Sequence, residues 1–448
     1  MPQNKNYALE VNMRGHYPSI VKAEGIYLYD DQGQRYLDGA GGSIVVNLGH
    51  GIKEFAEALK EQAEKVAFSY RMSFTTPQYQ ELAQKICELT NFEMDKVFLV
   101  SGGSEANEIG VKLARKFHID NGSPSRYKVI SRWQSYHGGT MGALAWTGFT
   151  GRRREYLPYL KDFNHIAPAY CYRCWFNKEP DTCDLECATA LEYAINQEGP
   201  GTVSAFLVEP VVGAALCGVP PREGYFRKIR EICDKYGVLL IFDEVMTGFG
   251  RTGKNFAYEH FDMVPDIICM GKGLSSGYFP LGGAMCQAYV TDTIAEKSGV
   301  FAAGFTYAGN PLGCAVGNTA MDYMKEHNLV ERCARMGEYM EQRMNDLYKH
   351  PTVGDIRGLG LMRGVEFVKD QDSKESLDTS LSYAYQISGE ARNQGLTMLT
   401  ANGCDRGTAG DMILIGPPFI ITEEQIDEMV DILDNVISTV EERNGFGG

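Results

Sequence analysis

Val97-Phe98-Leu99-Val100-Ser101-Gly102-Gly103-Ser104 opens the part of the chain in which short apolar runs begin to alternate with helical patterns. The first four residues read as a buried strand and the next four as a turn of small residues. The helix that follows carries Ala106, Ile109, Gly110, Leu113, Ala114 and Phe117 on one face. Apolar strands alternating with helices from about Asp95 onward predict an α/β fold, with a mostly parallel sheet covered on both faces. Strand, small turn and helix N-terminus together also make an anion site, because free backbone N–H groups and the helix dipole favour a phosphate. An ordinary turn capped by Ser104 would read the same way.

Further strands are Tyr127-Lys128-Val129-Ile130, Ala205-Phe206-Leu207-Val208 and Val238-Leu239-Leu240-Ile241-Phe242. They lead into Tyr136-His137-Gly138-Gly139, Glu209-Pro210 and Asp243-Glu244-Val245 respectively. A fourth, Ile267-Ile268-Cys269-Met270, delivers Lys272 into the turn Gly271-Lys272-Gly273-Leu274-Ser275. Apolar surroundings disfavour an ammonium, so a lysine held there can serve as a nucleophilic amine; a solvated lysine after a strand is the plainer reading. Ligands of open α/β sheets sit outside the carboxyl ends of the strands. Four strand ends bearing polar and aromatic groups therefore point to a cofactor site. Gly248-Phe249-Gly250-Arg251-Thr252-Gly253-Lys254-Asn255 nearly spells a nucleotide-binding P-loop, but Asn255 replaces the magnesium-binding hydroxyl and the acidic strand comes directly before the loop.

With 448 residues the chain can form two domains. Its net charge of −15 argues against a nucleic-acid partner, whose phosphates demand a basic footprint. The short run Arg152-Arg153-Arg154 suits either a solvated loop or the orientation of an anionic ligand. No apolar run is long enough to span a membrane, and Met1-Pro2-Gln3-Asn4-Lys5-Asn6 lacks the apolar core of a secretory signal, so a cytoplasmic location is expected. Residues 24–38 read as a hairpin, and residues 38–50 as a small-residue loop that approaches a ligand or a neighbouring chain. A helix follows with Phe55, Leu59, Ala63 and Val66 on one face. The final helix carries a Thr422/Gln425 capping box and a stripe of Ile426, Met429, Val430, Leu433, Ile437 and Val440.

A lysine amine, an aspartate, an aromatic ring and a phosphate cup are the parts needed to hold pyridoxal 5′-phosphate. At this point the sequence closely resembles the class III (subgroup II) pyridoxal-phosphate aminotransferases, in particular their ω-amino acid and amine:pyruvate branch. The matching stretches are 47–50, 101–107, 136–138, 209–211, 243–253, 271–274, 304–311 and Pro417-Pro418, in order along nearly the whole chain. The resemblance implies a fold-type I transferase, with a mostly parallel central sheet flanked by helices and a smaller α+β domain. The expected division is a large domain over 60–325, a small one built from 1–59 and 326–448, and a cysteine-rich insertion at 170–187.

Carried over by that resemblance, Lys272 is the Schiff-base lysine and proton shuttle, and Asp243 the partner of the pyridine nitrogen. Tyr136 and Val245 cover the two ring faces, and His137 joins the cofactor contacts. Gly103 and Ser104 bind the phosphate, while Thr306 reaches the phosphate of a neighbouring subunit. A homodimer, or a dimer of dimers, is then the working unit. Glu209, Ile44 and Arg406 are the substrate-side candidates; Val212 stands where many members carry glutamine, and Gly407 to Gly410 alter the spacing between Arg406 and Pro417. Ile44 and Val45 replace the large aromatic of amine-specific relatives, which points to a small ω-amino acid or aminosulfonate as donor and pyruvate or 2-oxoglutarate as acceptor. Other readings are a decarboxylase or aminomutase on the same cofactor, and a non-catalytic pyridoxal-phosphate binding protein. Cys171, Cys174, Cys183 and Cys187 have the count and rough spacing of a structural zinc site, with free thiols or disulfides as alternatives.

Overall fold

The computed structural model describes residues 7–15 and 17–446, so the residues read for a secretory signal lie outside it. Its centre is a seven-stranded sheet in the order Lys96–Val100, Gly282–Cys286, Ile267–Met270, Leu239–Asp243, Val203–Val208, Lys128–Arg132, His165–Ile166. Gly282–Cys286 runs antiparallel to both of its neighbours, and all the other pairings are parallel. Every residue of the Val203–Val208 and Leu239–Asp243 strands is buried.

Alternation along these strands sends side chains to two cores. Ala205, Leu207, Leu239, Ile241 and Cys269 pack on one side beneath the Gly103–Asp120 helix, against Ala106, Ile109 and Leu113. Phe206, Val208, Leu240, Phe242 and Met270 pack on the other with Phe226 and Ile229 of the Tyr225–Tyr236 helix. This is why the strands read as continuous apolar runs rather than as alternating ones. Each buried large side chain contributes about 1.5–3 kcal/mol of hydrophobic stabilisation.

Two four-stranded sheets complete the molecule. Ile20–Glu24, Tyr27–Asp30 and Arg35–Asp38 form a meander that pairs in parallel with Leu396–Thr397, so the two ends of the chain share one sheet. Strands Val353–Leu359, Met362–Phe367, Ala409–Ile415 and Leu399–Asp405 make the other. The Glu423–Asn444 helix has the Thr422/Gln425 capping box, and all six stripe residues are buried. The early helix, Lys53–Lys65, departs from expectation. Phe55 is buried and Leu59 half-buried, but Ala63 and Val66 are exposed.

Candidate active site

Because their strands run in parallel, Ser101, Tyr136, Glu209, Asp243 and Lys272 all follow carboxyl ends on one edge of the large sheet. Asp243 ends its own strand and is 4% exposed. Its Oδ2 accepts hydrogen bonds from Asn107 Nδ2 at 2.7 Å and His137 Nδ1 at 2.8 Å, and its Oδ1 accepts the Val245 N–H at 3.1 Å. Charge-assisted bonds of this kind fix the carboxylate's orientation. Asn107 also donates to the His137 carbonyl, so helix, strand end and loop are tied at one point. His137 thus holds the aspartate.

Lys272 opens a short 3-10 turn, Lys272–Leu274, one glycine beyond its strand. Its φ of 44° lies in the left-handed region, an uncommon conformation for a side-chain-bearing residue and one that concentrates at functional sites. Its amine has neither a hydrogen bond nor an ion pair among the described residues. Desolvation lowers its pKa to about 8; Asp243 and Glu209 pull it upward and Arg251 pushes it further down. Loss of hydration outweighs the pull of the two carboxylates, so the neutral form is favoured relative to a solvated lysine.

The phosphate-cup expectation concerns Gly103 and Ser104. The helix Gly103–Asp120 starts after Gly102 with no side-chain cap, which leaves its first-turn N–H groups for a ligand. Ser104 does not cap the helix; its Oγ accepts the Gly139 N–H at 3.0 Å instead. A Cβ at Gly103 would lie 2.6 Å from a methyl of Val245, so a side chain here would force the valine to shift. A Cβ at Gly138, whose φ is +134°, would come closer still, 2.3 Å from Ser104 Oγ.

The substrate-side candidates fare differently. Glu209 is buried and its oxygens are committed: Oε1 accepts the Tyr136 N–H and Oε2 the Gly213 N–H, each at 2.9 Å. Burial raises its pKa. It positions Tyr136. Ile44, 1% exposed, packs in an apolar cluster with Ala40, Tyr170 and Val211. Arg406 stands exposed in the turn between two strands at φ 51°, without an ion pair among the described residues. Thr306 is exposed and makes no hydrogen bond to the residues above.

Two residues escaped the sequence reading. Asn107 is a polar group within the apolar face of its helix, and that mismatch was the available signal. Arg251, inside the P-loop look-alike, is fully buried; Nη1 donates to the carbonyls of Pro417 (2.7 Å) and Leu361 (3.1 Å), and Nη2 to Asn47 Oδ1 (2.8 Å). Desolvation lowers its pKa to about 10. No spacing rule announces such a contact across 166 residues of chain.

The zinc expectation is not supported. Cys171, Cys174, Cys183 and Cys187 line one small cavity, yet among the described residues no group of three or more His, Cys, Asp or Glu side chains is placed to hold a metal. Cys183 instead donates to Glu186 Oε2 at 3.1 Å, at the start of the Glu186–Glu198 helix.

Comparison with known proteins agrees with this geometry. A sequence profile for aminotransferase class-III matches residues 10–437. The putrescine–pyruvate aminotransferase of Pseudomonas aeruginosa is 34% identical over 92% of this chain and 89% of its own. The diaminobutyrate–2-oxoglutarate transaminase of Halomonas elongata is 34% identical over 94% and 90%. The solved ω-transaminase of Pseudomonas jessenii in complex with PMP superposes with a TM-score of 0.90 at 34% identity, covering 96% of this chain and 94% of that one. The chain belongs to the class-III aminotransferases, and its architecture is that of the fold-type I transferases.

Proposed function

We propose that this aminotransferase uses pyridoxal 5′-phosphate to move an amino group from an ω-amino acid or amine to pyruvate or 2-oxoglutarate. The observation that carries the reading is the unpaired, partly deprotonated amine of Lys272 on the same sheet edge as the clamped Asp243. The residues fit the cofactor. Among the described residues Asp243 Oδ1 accepts one hydrogen bond, from the Val245 N–H, and can accept another from a protonated ring nitrogen, and the uncapped turn at Gly103 and Ser104 suits a phosphate. When bound, the cofactor supplies an electron sink for a substrate carbanion. Asp243 would keep the ring nitrogen protonated, Tyr136 and Val245 would cover its faces, and Lys272 Nζ would take and return the proton. The family and the complete catalytic set leave the non-catalytic reading without support.

Support for an ω-amine donor comes from relatives whose names specify donors with a terminal primary amine, and between them both acceptors occur. A small ω-amino acid or aminosulfonate is the donor we favour. A panel of such donors, each paired with pyruvate or 2-oxoglutarate and read as alanine or glutamate formed, tests this; activity confined to α-amino acids would refute it.

The homodimer belongs to the same reading. Phe68, Tyr70, Met72 and Phe74 are 45–79% exposed, and the Phe68 ring meets that of Tyr307, beside Thr306, at 6.1 Å. An apolar patch adjoining Thr306 suits a second copy of the chain, to which Thr306 would bring its hydroxyl. The division into a 60–325 domain and a small domain from both ends fits the sheet that the two ends share. Among the described residues no helix is long and apolar enough to cross a membrane. A cytoplasmic setting, where thiols stay reduced, is part of the proposal.

A further inference from the structure

A cavity of about 810 Å³ lies against the Lys128–Arg132 strand, walled on its other sides by Trp133, the segment around Arg153 and Arg154, and the stretch from Lys161 to His165. None of the cofactor-site residues lines it. Arg153 is the unusual member. It is 6% exposed, and among the described residues it makes no hydrogen bond and no ion pair; its Nε is buried without a partner. The contact it does make is with the Trp133 ring, 5.3 Å from the guanidinium carbon. Buried arginines are ordinarily paired, because an uncompensated charge in the interior is costly and its N–H groups demand acceptors. Here the acceptors are missing while a cavity of ligand size adjoins.

The charges around the cavity sharpen the point. Lys128 is already paired with Glu198 at 2.8 Å. Arg153, Arg154 and Lys161 have no ion pair at 4 Å or less among the described residues; Asp162, the remaining lining carboxylate, acts on Arg153 only through its charge. Three cations against one anion leave two positive charges in excess. Lys161 sits 5.0–5.2 Å from the Tyr127 and Phe163 rings, which gives the mouth an aromatic lining.

We propose that this cavity is a second anion site, built for a phosphate monoester, with Arg153 as its buried anchor and Arg154 and Lys161 nearer the mouth. A phosphate monoester carries close to two negative charges near neutral pH, matching the excess, and its oxygens match the guanidinium fork. The remaining volume accommodates a small organic group beside the aromatic rings.

Calorimetric titration of the cofactor-loaded enzyme with inorganic phosphate, phenyl phosphate and succinate tests the assignment, because the cofactor already fills the other phosphate cup. The expected result is one phosphate-type ligand per chain with the cofactor's absorption unchanged, phenyl phosphate binding tighter than inorganic phosphate, and succinate weaker than both. Arg153→Met should weaken phenyl phosphate at least about tenfold and Lys161→Ala a few-fold. If Arg153→Met fails to fold, Arg153→Lys, which keeps the charge and loses the fork, together with the exposed Lys161→Ala carries the test. No binding to the wild-type enzyme, a preference for succinate, or an affinity that these variants leave unchanged would overturn the proposal.

Discussion

His137 Nδ1 and Asp243 Oδ2 lie 2.8 Å apart in a buried pair, and Asn107 Nδ2 completes the clamp on the same oxygen at 2.7 Å. The aspartate is therefore held from the helix and the loop before any ligand arrives. Substituting His137→Phe or Asn107→Leu should leave the protein folded but let the carboxylate rotate. We expect kcat to fall by about 10- to 100-fold, as for a small misplacement of a catalytic group. A folded His137→Phe protein with native kcat would show that the clamp does not matter.

The amine of Lys272 gives a pH signature. With a pKa of about 8, half of it is neutral at pH 8, whereas an ordinary lysine at 10.5 would be roughly 0.3% neutral there. Protonation below that value removes the nucleophile, so recombination of cofactor-free protein with pyridoxal phosphate should speed up with pH and level off above about 8. A rate still climbing tenfold per unit between pH 8 and 10 would mean an unperturbed lysine.

Arg251 couples stability to that titration. It donates to Asn47, Leu361 and Pro417, and its charge depresses Lys272. Arg251→Met should cost roughly 3 kcal/mol in denaturant unfolding, from lost charge-assisted hydrogen bonds. In whatever fraction folds, the midpoint of the recombination profile should move to higher pH. Lost stability with an unmoved midpoint would leave Arg251 a purely structural residue.

Close packing at Gly103 predicts a steric failure. A Cβ at this position would lie 2.6 Å from Val245, so Gly103→Ala must displace the valine that we propose covers one face of the cofactor ring. Weaker cofactor retention on dialysis is expected, with about 1–3 kcal/mol of destabilisation from overpacking.

The exposed patch predicts the assembly. Phe74 is 67% exposed and Met72 79%, so Phe74→Asp should leave the isolated fold intact while shifting the protein to monomer in sedimentation experiments. Activity should be lost in parallel, because Thr306 would no longer reach a neighbour. A fully active monomer would contradict the dimeric site.

The core of this architecture was legible because burial on both faces forces continuous apolar strands, as in Val203–Val208, and because the helix stripe from Ala106 to Phe117 has one clear period. Lys272 and Asp243 were legible through their place directly after such strands. For Ile44 the sequence shows residue type and not direction; the structure packs it beside Ala40, Tyr170 and Val211. Glu209 and Arg251 act through partners distant in sequence, and the spacing of the four cysteines does not show how their side chains are placed in space. Nothing local records those environments.

The central claim is that Lys272 carries amino-group transfer on bound pyridoxal phosphate. Its most direct test is the formation of alanine or glutamate from pyruvate or 2-oxoglutarate and a terminal-amine donor, by wild-type enzyme and by Lys272→Ala at equal concentration and cofactor loading. Turnover by the wild type and a loss of several orders of magnitude in the variant are expected. Product formed by Lys272→Ala at the native rate would contradict it.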